Sequence, residues 1–285
     1  MSGSDYGLPR LLVEPVVRAG LLEDLAHGGD LTTEAIVPEG APARAAFVAR
    51  DAGVVAGLDC ARIAFELLDD TMRLDVRRAD GERVAAGETI ATIAGSARAI
   101  LTGERTALNL LCRLSGIASA TRALADAIAH TRARVADTRK TIPGLRALQK
   151  YAVRCGGGAN HRFGLDDAIL IKDNHVALAG SVAEAVRRAR ERVGHMVKVE
   201  LEVDTLEQLR EALGLPIDAV LLDNMTPAQL AEAVALADGR FVTEASGRVD
   251  ALSIVAIAEA GVDVISVGWL THGAGSLDIG LDIAI

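Results

Sequence analysis

Six short apolar runs recur along the later part of the chain, and each gives way to polar or glycine positions at its C-terminal end. The runs are Val135–Ala136, Ala168–Ile171, Val197–Val203, Ala219–Leu222, Phe241–Thr243 and Val264–Val267. They open respectively onto Asp137-Thr138-Arg139-Lys140, Lys172-Asp173-Asn174-His175, Asp204 (after Glu200 and Glu202 within the run), Asp223-Asn224, Glu244-Ala245-Ser246-Gly247, and Gly268. Ala-, Glu- and Arg-rich segments with helical character lie between most of them: Ser181–Arg192, Thr205–Leu213, Pro227–Ala237 and Ala251–Ala260. A strand followed by a helix every 20 to 30 residues or so is the rhythm of repeated βα units in a parallel sheet or barrel. In such barrels the C-terminal strand ends and the loops behind them assemble the active site. One Asp, Asn, Ser or Thr at a strand end is explained as a helix N-cap. Six ends in register are not.

The earlier part of the chain follows a different grammar. Residues 8 to 26 have helical periodicity and stop at the turn cluster His27-Gly28-Gly29-Asp30. Strand-like pieces follow at Ala45–Ala49, Val54–Ala56, Leu74–Arg77 and Thr89–Ile93, with Gly, Asp and Pro between them. This region is expected to form a small α+β domain, joined to the later units by a long helix over roughly Ala97 to Ala129.

With 285 residues, half of them hydrophobic but only 2% aromatic, the core must be built from Ala, Val, Leu and Ile. That interior suits parallel strands covered by helices, and it argues against recognition by base stacking. A net charge of −9 disfavours non-specific binding to nucleic acid or anionic membranes. Cys60, Cys112 and Cys155 lie far apart, which predicts reduced thiols in a cytoplasmic protein. No stretch is apolar for the 18 or so residues of a membrane span, and Met1-Ser2-Gly3-Ser4-Asp5 does not open a targeting segment.

Against this acidic background, residues 137–175 hold seven Lys/Arg and four Asp. A local cationic cluster in an acidic chain points to a polyanionic small molecule. Arg146, Lys150 and Arg154, spaced by four, read as a solvated helix face; Arg139, Lys140 and Lys172 sit at strand ends and are expected to converge on the barrel mouth. The glycines in Cys155-Gly156-Gly157-Gly158-Ala159-Asn160-His161-Arg162 permit close backbone approaches, although the block matches neither common phosphate-loop pattern. His27, His130 and His195 are assigned ordinary surface or packing roles. A second constellation is acidic: Glu202 and Asp223 at neighbouring strand ends can hold Mg²⁺, accept sugar hydroxyls or do acid–base work. Ser246-Gly247-Arg248 and Gly268, at the last two strand ends, occupy positions where barrels bind phosphate through backbone N–H groups.

The runs Asp137-Thr138-Arg139-Lys140-Thr141-Ile142-Pro143-Gly144-Leu145-Arg146, Gly156-Gly157-Gly158-Ala159-Asn160-His161-Arg162-Phe163-Gly164-Leu165 and Ile171-Lys172-Asp173-Asn174-His175 resemble the signatures of the quinolinate phosphoribosyltransferases, also called carboxylating nicotinate-nucleotide pyrophosphorylases. Gly103-Glu104-Arg105-Thr106-Ala107-Leu108-Asn109, Leu221-Leu222-Asp223-Asn224, Glu244-Ala245-Ser246-Gly247 and the segment Leu270 to Asp282 extend the resemblance over nearly the whole chain. It implies an α/β protein: an incomplete TIM-like α/β barrel over 109–275, preceded by an N-terminal α+β open-faced sandwich domain over 1–108, on which the tail 276–285 packs. It implies a homodimer with sites shared between subunits, Arg105 being supplied by the partner, and it leaves room for a higher oligomer. The substrates implied are quinolinate and phosphoribosyl pyrophosphate, with Mg²⁺ as cofactor, in NAD biosynthesis. By position, Arg105, Arg139, His161, Arg162 and Lys172 contact the quinolinate carboxylates. Thr138 joins the substrate-binding set. Lys140, Glu202, Asp223, Ser246, Gly247, Arg248 and Gly268 serve the phosphosugar, with Glu202 and Asp223 holding Mg²⁺ directly or through water. The catalytic set is Lys140, Lys172, Glu202 and Asp223.

Three positions depart from the family pattern. Arg248 stands where a small or amide residue is commoner, Trp269 where a small residue is usual, and Gly273 where Ser is usual. Three rival readings exist. A pyrophosphorylase-like relative linked to molybdate transport shares the first two blocks, but differs at Lys172-Asp173-Asn174-His175. A nicotinate phosphoribosyltransferase, with a monocarboxylate substrate, needs fewer cations. A silent phosphosugar-binding subunit has no reason to keep both the basic and the acidic sets.

Overall fold

The computed structural model describes residues 7–284; the opening Met1–Asp5, with its reading as free of a targeting segment, lies outside the described residues. The elements in chain order are α1 (Arg10–Leu25), α2 (Leu31–Ile36), β1 (Pro42–Ala49), β2 (Gly53–Val54), α3 (Leu58–Glu66), β3 (Arg73–Val76), β4 (Arg83–Val84), β5 (Thr89–Ser96) and α4 (Ala97–Ala127). They continue with β6 (Arg134–Ala136), α5 (Arg146–Cys155), β7 (Ile169–Ile171), α6 (Asp173–Ala179), α7 (Val182–Arg192), β8 (Val199–Val203), α8 (Leu206–Ala212) and β9 (Ala219–Asp223). The last are α9 (Pro227–Ala237), β10 (Val242–Ser246), α10 (Ile254–Glu259), β11 (Val264–Ser266), α11 (Trp269–His272) and β12 (Ile279–Ala284). Two compact units result: Met1–Arg122 with Thr141–Gly157 and Leu270–Ile285, and Ala123–Lys140 with Gly158–Trp269.

The first unit is built on an antiparallel sheet in the order β12-β1-β5-β3. Along β1, Ala45, Phe47 and Ala49 alternate as buried residues, so one face of the sheet is apolar. Phe47 meets Phe65 of α3, ring centroids 6.1 Å apart and tilted by 57°. Helix α3 is an element beyond those read above; it is amphipathic, with Asp59, Arg62 and Glu66 along one face and the opposite face buried. Its start is capped from a distance, the Asp80 carboxylate accepting from the Gly57 and Leu58 N–H groups at 2.9 and 3.2 Å.

Helix α5 corrects an expectation in part. Arg154 is exposed, as a solvated face requires, but Lys150 is only 2% exposed and lies between buried Gln149 and Ala152. Gly156, directly after α5, is required by packing: a Cβ there would lie 2.5 Å from the Ala118 carbonyl oxygen of α4.

The second unit holds six parallel strands in the order β6-β11-β10-β9-β8-β7. Strands β7 to β11 lie side by side in chain order and β11 returns to β6, while β6 and β7 do not pair among the described residues. In that gap Ala159 forms a single parallel bridge with Ala136. The ring is therefore a barrel left open on one side. Helices start where the sequence provides caps: Ser181 accepts from the Glu184 N–H, and Thr205 and Thr226 form capping boxes with Gln208 and Gln229. The strands match the six apolar runs except at β10, which continues past Thr243 through Glu244 to Ser246. Register with β9 carries it on, since Glu244, Ala245 and Ser246 pair with Leu221, Leu222 and Asp223. Glu244 is thereby drawn into the barrel wall.

Candidate active site

The strand ends of the second unit enclose a cavity of about 430 Å³. Thr138, Arg139, Lys140, His161, Arg162, Lys172, Glu202, Asp223 and Ser246 all line it, so seven residues at strand ends meet two from the glycine block at one place. Leu170, Leu221, Glu244 and Ser266 complete the wall. Gly247, Arg248 and Gly268 are not in the lining, nor is Arg105, which is exposed on α4 in the first unit.

Positive charge is held close together without full compensation. Burial first, and then the positive charge of Arg139, pull the Arg162 guanidinium below its ordinary value. The Nε of Arg139 is shielded from solvent and has no hydrogen-bond partner. Arg162 is steadied by a hydrogen bond from its Nη1 to the Ala168 carbonyl at 3.0 Å. Two neighbouring guanidinium groups repel, so their arrangement is matched to an anion entering between them. Lys172 differs: its Nζ is ion-paired with Glu202. The cation and the acid assigned to different substrates thus neutralise one another. Asp223 accepts from Asn224 Nδ2 at 2.6 Å.

His161 is placed by groups to which the strand-end reading gave no role. Asp137, fully buried where β6 ends, accepts from the His161 backbone N–H at 3.0 Å and from Asn160 Nδ2 at 2.5 Å. On the ring, Nδ1 accepts from the Arg162 backbone N–H at 2.7 Å. A backbone N–H can only donate, so a neutral ring must carry its proton on Nε2. Nε2 lies 3.1 Å from Glu200 Oε2 and 3.6 Å from Glu244 Oε1. Together these three residues bring ligand-type atoms within 4.8 Å of one another, a spacing a metal ion could use. The tautomer argues against it, because the proton on Nε2 occupies the lone pair a metal would need.

Glu200 and Glu244 are both buried, Glu244 being 5% exposed. Burial, reinforced by the negative charge of Glu200, pushes the Glu244 carboxyl up to about 7 against the opposing pull of His161 and Ser266. A signal for Glu200 existed in the sequence: Val199-Glu200-Leu201-Glu202-Val203 alternates, so Glu200 and Glu202 share one face of β8.

Beside the cavity, β10 ends in a turn whose backbone is left-handed at Gly247 (φ +100) and at Arg248 (φ +49). Gly247 also makes room for a neighbour, since a Cβ there would lie 2.3 Å from Asn224 Oδ1. Cys155 belongs to a structural group in the first unit: Tyr151 Oη donates to Asp80 at 2.7 Å, and burial pushes the Cys155 thiol up to about 12.

Residues 30–115 match the family described as quinolinate phosphoribosyl transferase, N-terminal domain, and residues 117–282 match the corresponding C-terminal domain. The chain is 45% identical over 264 residues to a probable carboxylating nicotinate-nucleotide pyrophosphorylase of Bacillus subtilis, covering 93% of this chain and 91% of that one. It is 46% identical over 275 residues to the carboxylating nicotinate-nucleotide pyrophosphorylase of Mycobacterium leprae, covering 94% and 95%. The solved structure of the nicotinate-nucleotide pyrophosphorylase from Francisella tularensis superposes with a TM-score of 0.93 at 41% identity, covering 98% of each chain. With both halves of the family matched end to end, and with its basic and acidic strand ends gathered around one cavity, the chain belongs to the quinolinate phosphoribosyltransferases.

Proposed function

We propose that this chain transfers the phosphoribosyl group of phosphoribosyl pyrophosphate to quinolinate with decarboxylation, giving nicotinate mononucleotide, pyrophosphate and carbon dioxide. One observation carries the reading at the level of chemistry. Arg139 and Arg162 face one cavity as neighbouring cations, and a few strands away Glu202 and Asp223 supply carboxylates to the same cavity. A dicarboxylate beside a phosphosugar matches that division of charge.

In this reading Arg139 and Arg162 grip the quinolinate carboxylates, with His161 in the same wall and Thr138 beside them. Lys172 exchanges its pairing with Glu202 for a substrate carboxylate, and this frees Glu202 to face the ribose. Glu202 and Asp223 then lie where positive charge develops at the anomeric carbon, and their fixed negative charge stabilises it. Lys140 meets the negative charge on the departing pyrophosphate. Ser246, Gly247, Arg248 and Gly268 hold the 5′-phosphate side.

The donors fit Mg²⁺, since Glu202 and Asp223 are hard oxygen ligands and this ion is commonly held by one or two carboxylates plus substrate phosphates. When bound, it supplies further positive charge to the pyrophosphate oxygens. After transfer, the bond to the carboxylate next to the ring nitrogen breaks and carbon dioxide departs; the cationic nitrogen stabilises the carbanion left behind, which takes a proton from solvent to give the product. Preorganised charge, with no covalent nucleophile, supplies the rate enhancement.

Arg105 is exposed and makes no ion pair within the described residues, which supports its delivery to the site of a second subunit in a homodimer. Three free cysteines support a cytoplasmic location. The deciding experiment is incubation with quinolinate, phosphoribosyl pyrophosphate and Mg²⁺, with release of carbon dioxide followed and nicotinate run in parallel. Turnover of nicotinate in place of quinolinate would overturn the assignment.

A further inference from the structure

The turn after β10 is tied at both ends. At its start, the Asn224 N–H donates to the Ser246 carbonyl at 2.9 Å. At its far end, the Trp269 indole Nε1–H donates to the Val249 carbonyl at 2.8 Å, and the Val249 side chain is buried. Between the ties lie the two left-handed residues, Gly247 and Arg248. Glycine adopts that backbone freely, whereas arginine does so against a steric penalty. Arg248 therefore needs the turn to be held. Within the described residues, the Gly247 and Arg248 N–H groups donate no hydrogen bond, and the exposed Arg248 side chain has no acidic partner. The turn thus presents two free N–H donors and a guanidinium together.

We propose that Trp269 is a positioning residue for the phosphosugar. Its indole N–H fixes the turn Ser246–Val249 and so lets Arg248 hold its left-handed backbone beside the phosphate. The proposal rests on the reading of the site given above. An indole is donor-only and long enough to cross from the start of α11 to a carbonyl in the turn after β10; a small side chain at 269 could not reach. The two departures from the family pattern at 248 and 269 are then one adaptation: the added guanidinium brings strain, and the added indole restrains it. Gly268, next to Trp269, lies against Lys140, where a Cβ would come within 2.9 Å of the lysine Cδ. The seat of Trp269 thus adjoins the lysine assigned to the pyrophosphate.

The test compares the unmodified chain with Trp269→Phe, which keeps an aromatic ring and removes the donor. Trp269→Phe is expected to raise KM for phosphoribosyl pyrophosphate about tenfold, with kcat and KM for quinolinate unchanged within about twofold. Backbone amide order parameters in the ligand-free protein should fall at residues 247–249 and nowhere else. In an Arg248→Gly background, where the left-handed backbone is no longer strained, the same substitution should change that KM by no more than about twofold. Unchanged order parameters at the turn in Trp269→Phe would overturn the proposal. So would equal rises in both KM values with order parameters lowered throughout, which marks a merely structural role, or an undiminished effect in the Arg248→Gly background. If the unmodified chain fails to turn over quinolinate, the reading of the site falls, while the order parameters still decide whether the indole holds the turn.

Discussion

Glu244→Gln isolates the acid pair behind His161, and its effect can be worked from the structure. Glu244 is buried, and its carboxyl holds a proton up to about 7 because burial and then the Glu200 charge oppose ionisation. Unfolded, the same carboxyl ionises near its ordinary value of 4.5. Folding therefore takes up a proton between those values, so this contribution to stability is whole below 4.5 and is lost as pH rises through about 7. The loss amounts to about 3 kcal/mol, an upper figure because Glu200 shares the proton. For a chain of this length that corresponds to about 5 °C in Tm. Glutamine stays neutral at every pH and has nearly the same shape. The difference in Tm, variant minus unmodified chain, should therefore rise from pH 5 to pH 8, with most of the change between pH 5 and 7. Titrations elsewhere in the molecule are common to both proteins and cancel. Calorimetry at pH 5, 6, 7 and 8 makes the measurement. A flat difference curve would show that Glu244 is already ionised in the folded chain, and the argument for the proton-sharing pair would fail.

The other predictions concern neighbouring groups. Arg139→Ala should lower kcat/KM for quinolinate by at least about a hundredfold, the loss expected when one member of a desolvated charge pair is removed; unaltered circular dichroism would show the fold intact, and near-normal turnover would refute the carboxylate assignment. Asp137→Ala strands the His161 N–H and the Asn160 amide, both of which now donate to Asp137. It should cost about 2–4 kcal/mol in denaturant unfolding, and a loss below about 1 kcal/mol would mean that water replaces the carboxylate. Cys155, with its thiol pushed up to about 12 by burial and then by the Asp80 charge, should react with iodoacetamide at pH 8 far more slowly than a free thiol; rapid labelling in the folded state would contradict the packed role.

The alternation of apolar runs and capped helices is a local property, and it was sufficient to read the barrel rhythm. Ser181, Thr205 and Thr226 begin helices through hydrogen bonds to residues three positions on. The strand-end positions were legible for the same reason, because a parallel βα repeat carries each C-terminal end to the same rim whatever the details of packing. That is why the order of residues alone points to Arg139, Lys172, Glu202 and Asp223, which line the cavity. The start of helix α3 was not legible, because its cap, Asp80, lies beyond the helix in sequence and reaches it only through folding. Nor was the burial of Lys150, whose spacing in α5 resembles a solvated face.

By itself, then, the order of residues determined the class of fold, the rim on which chemistry gathers and the sign of charge at each strand end, since all three follow from near-neighbour periodicity. Tertiary structure alone decided which charges meet: that Lys172 is paired with Glu202, that Glu200 and Glu244 lie against His161, and that the Trp269 indole holds the Val249 carbonyl. Those pairings depend on strand register and on distances between segments 20 or more residues apart, and electrostatics and hydrogen bonding respond to that separation in space rather than along the chain.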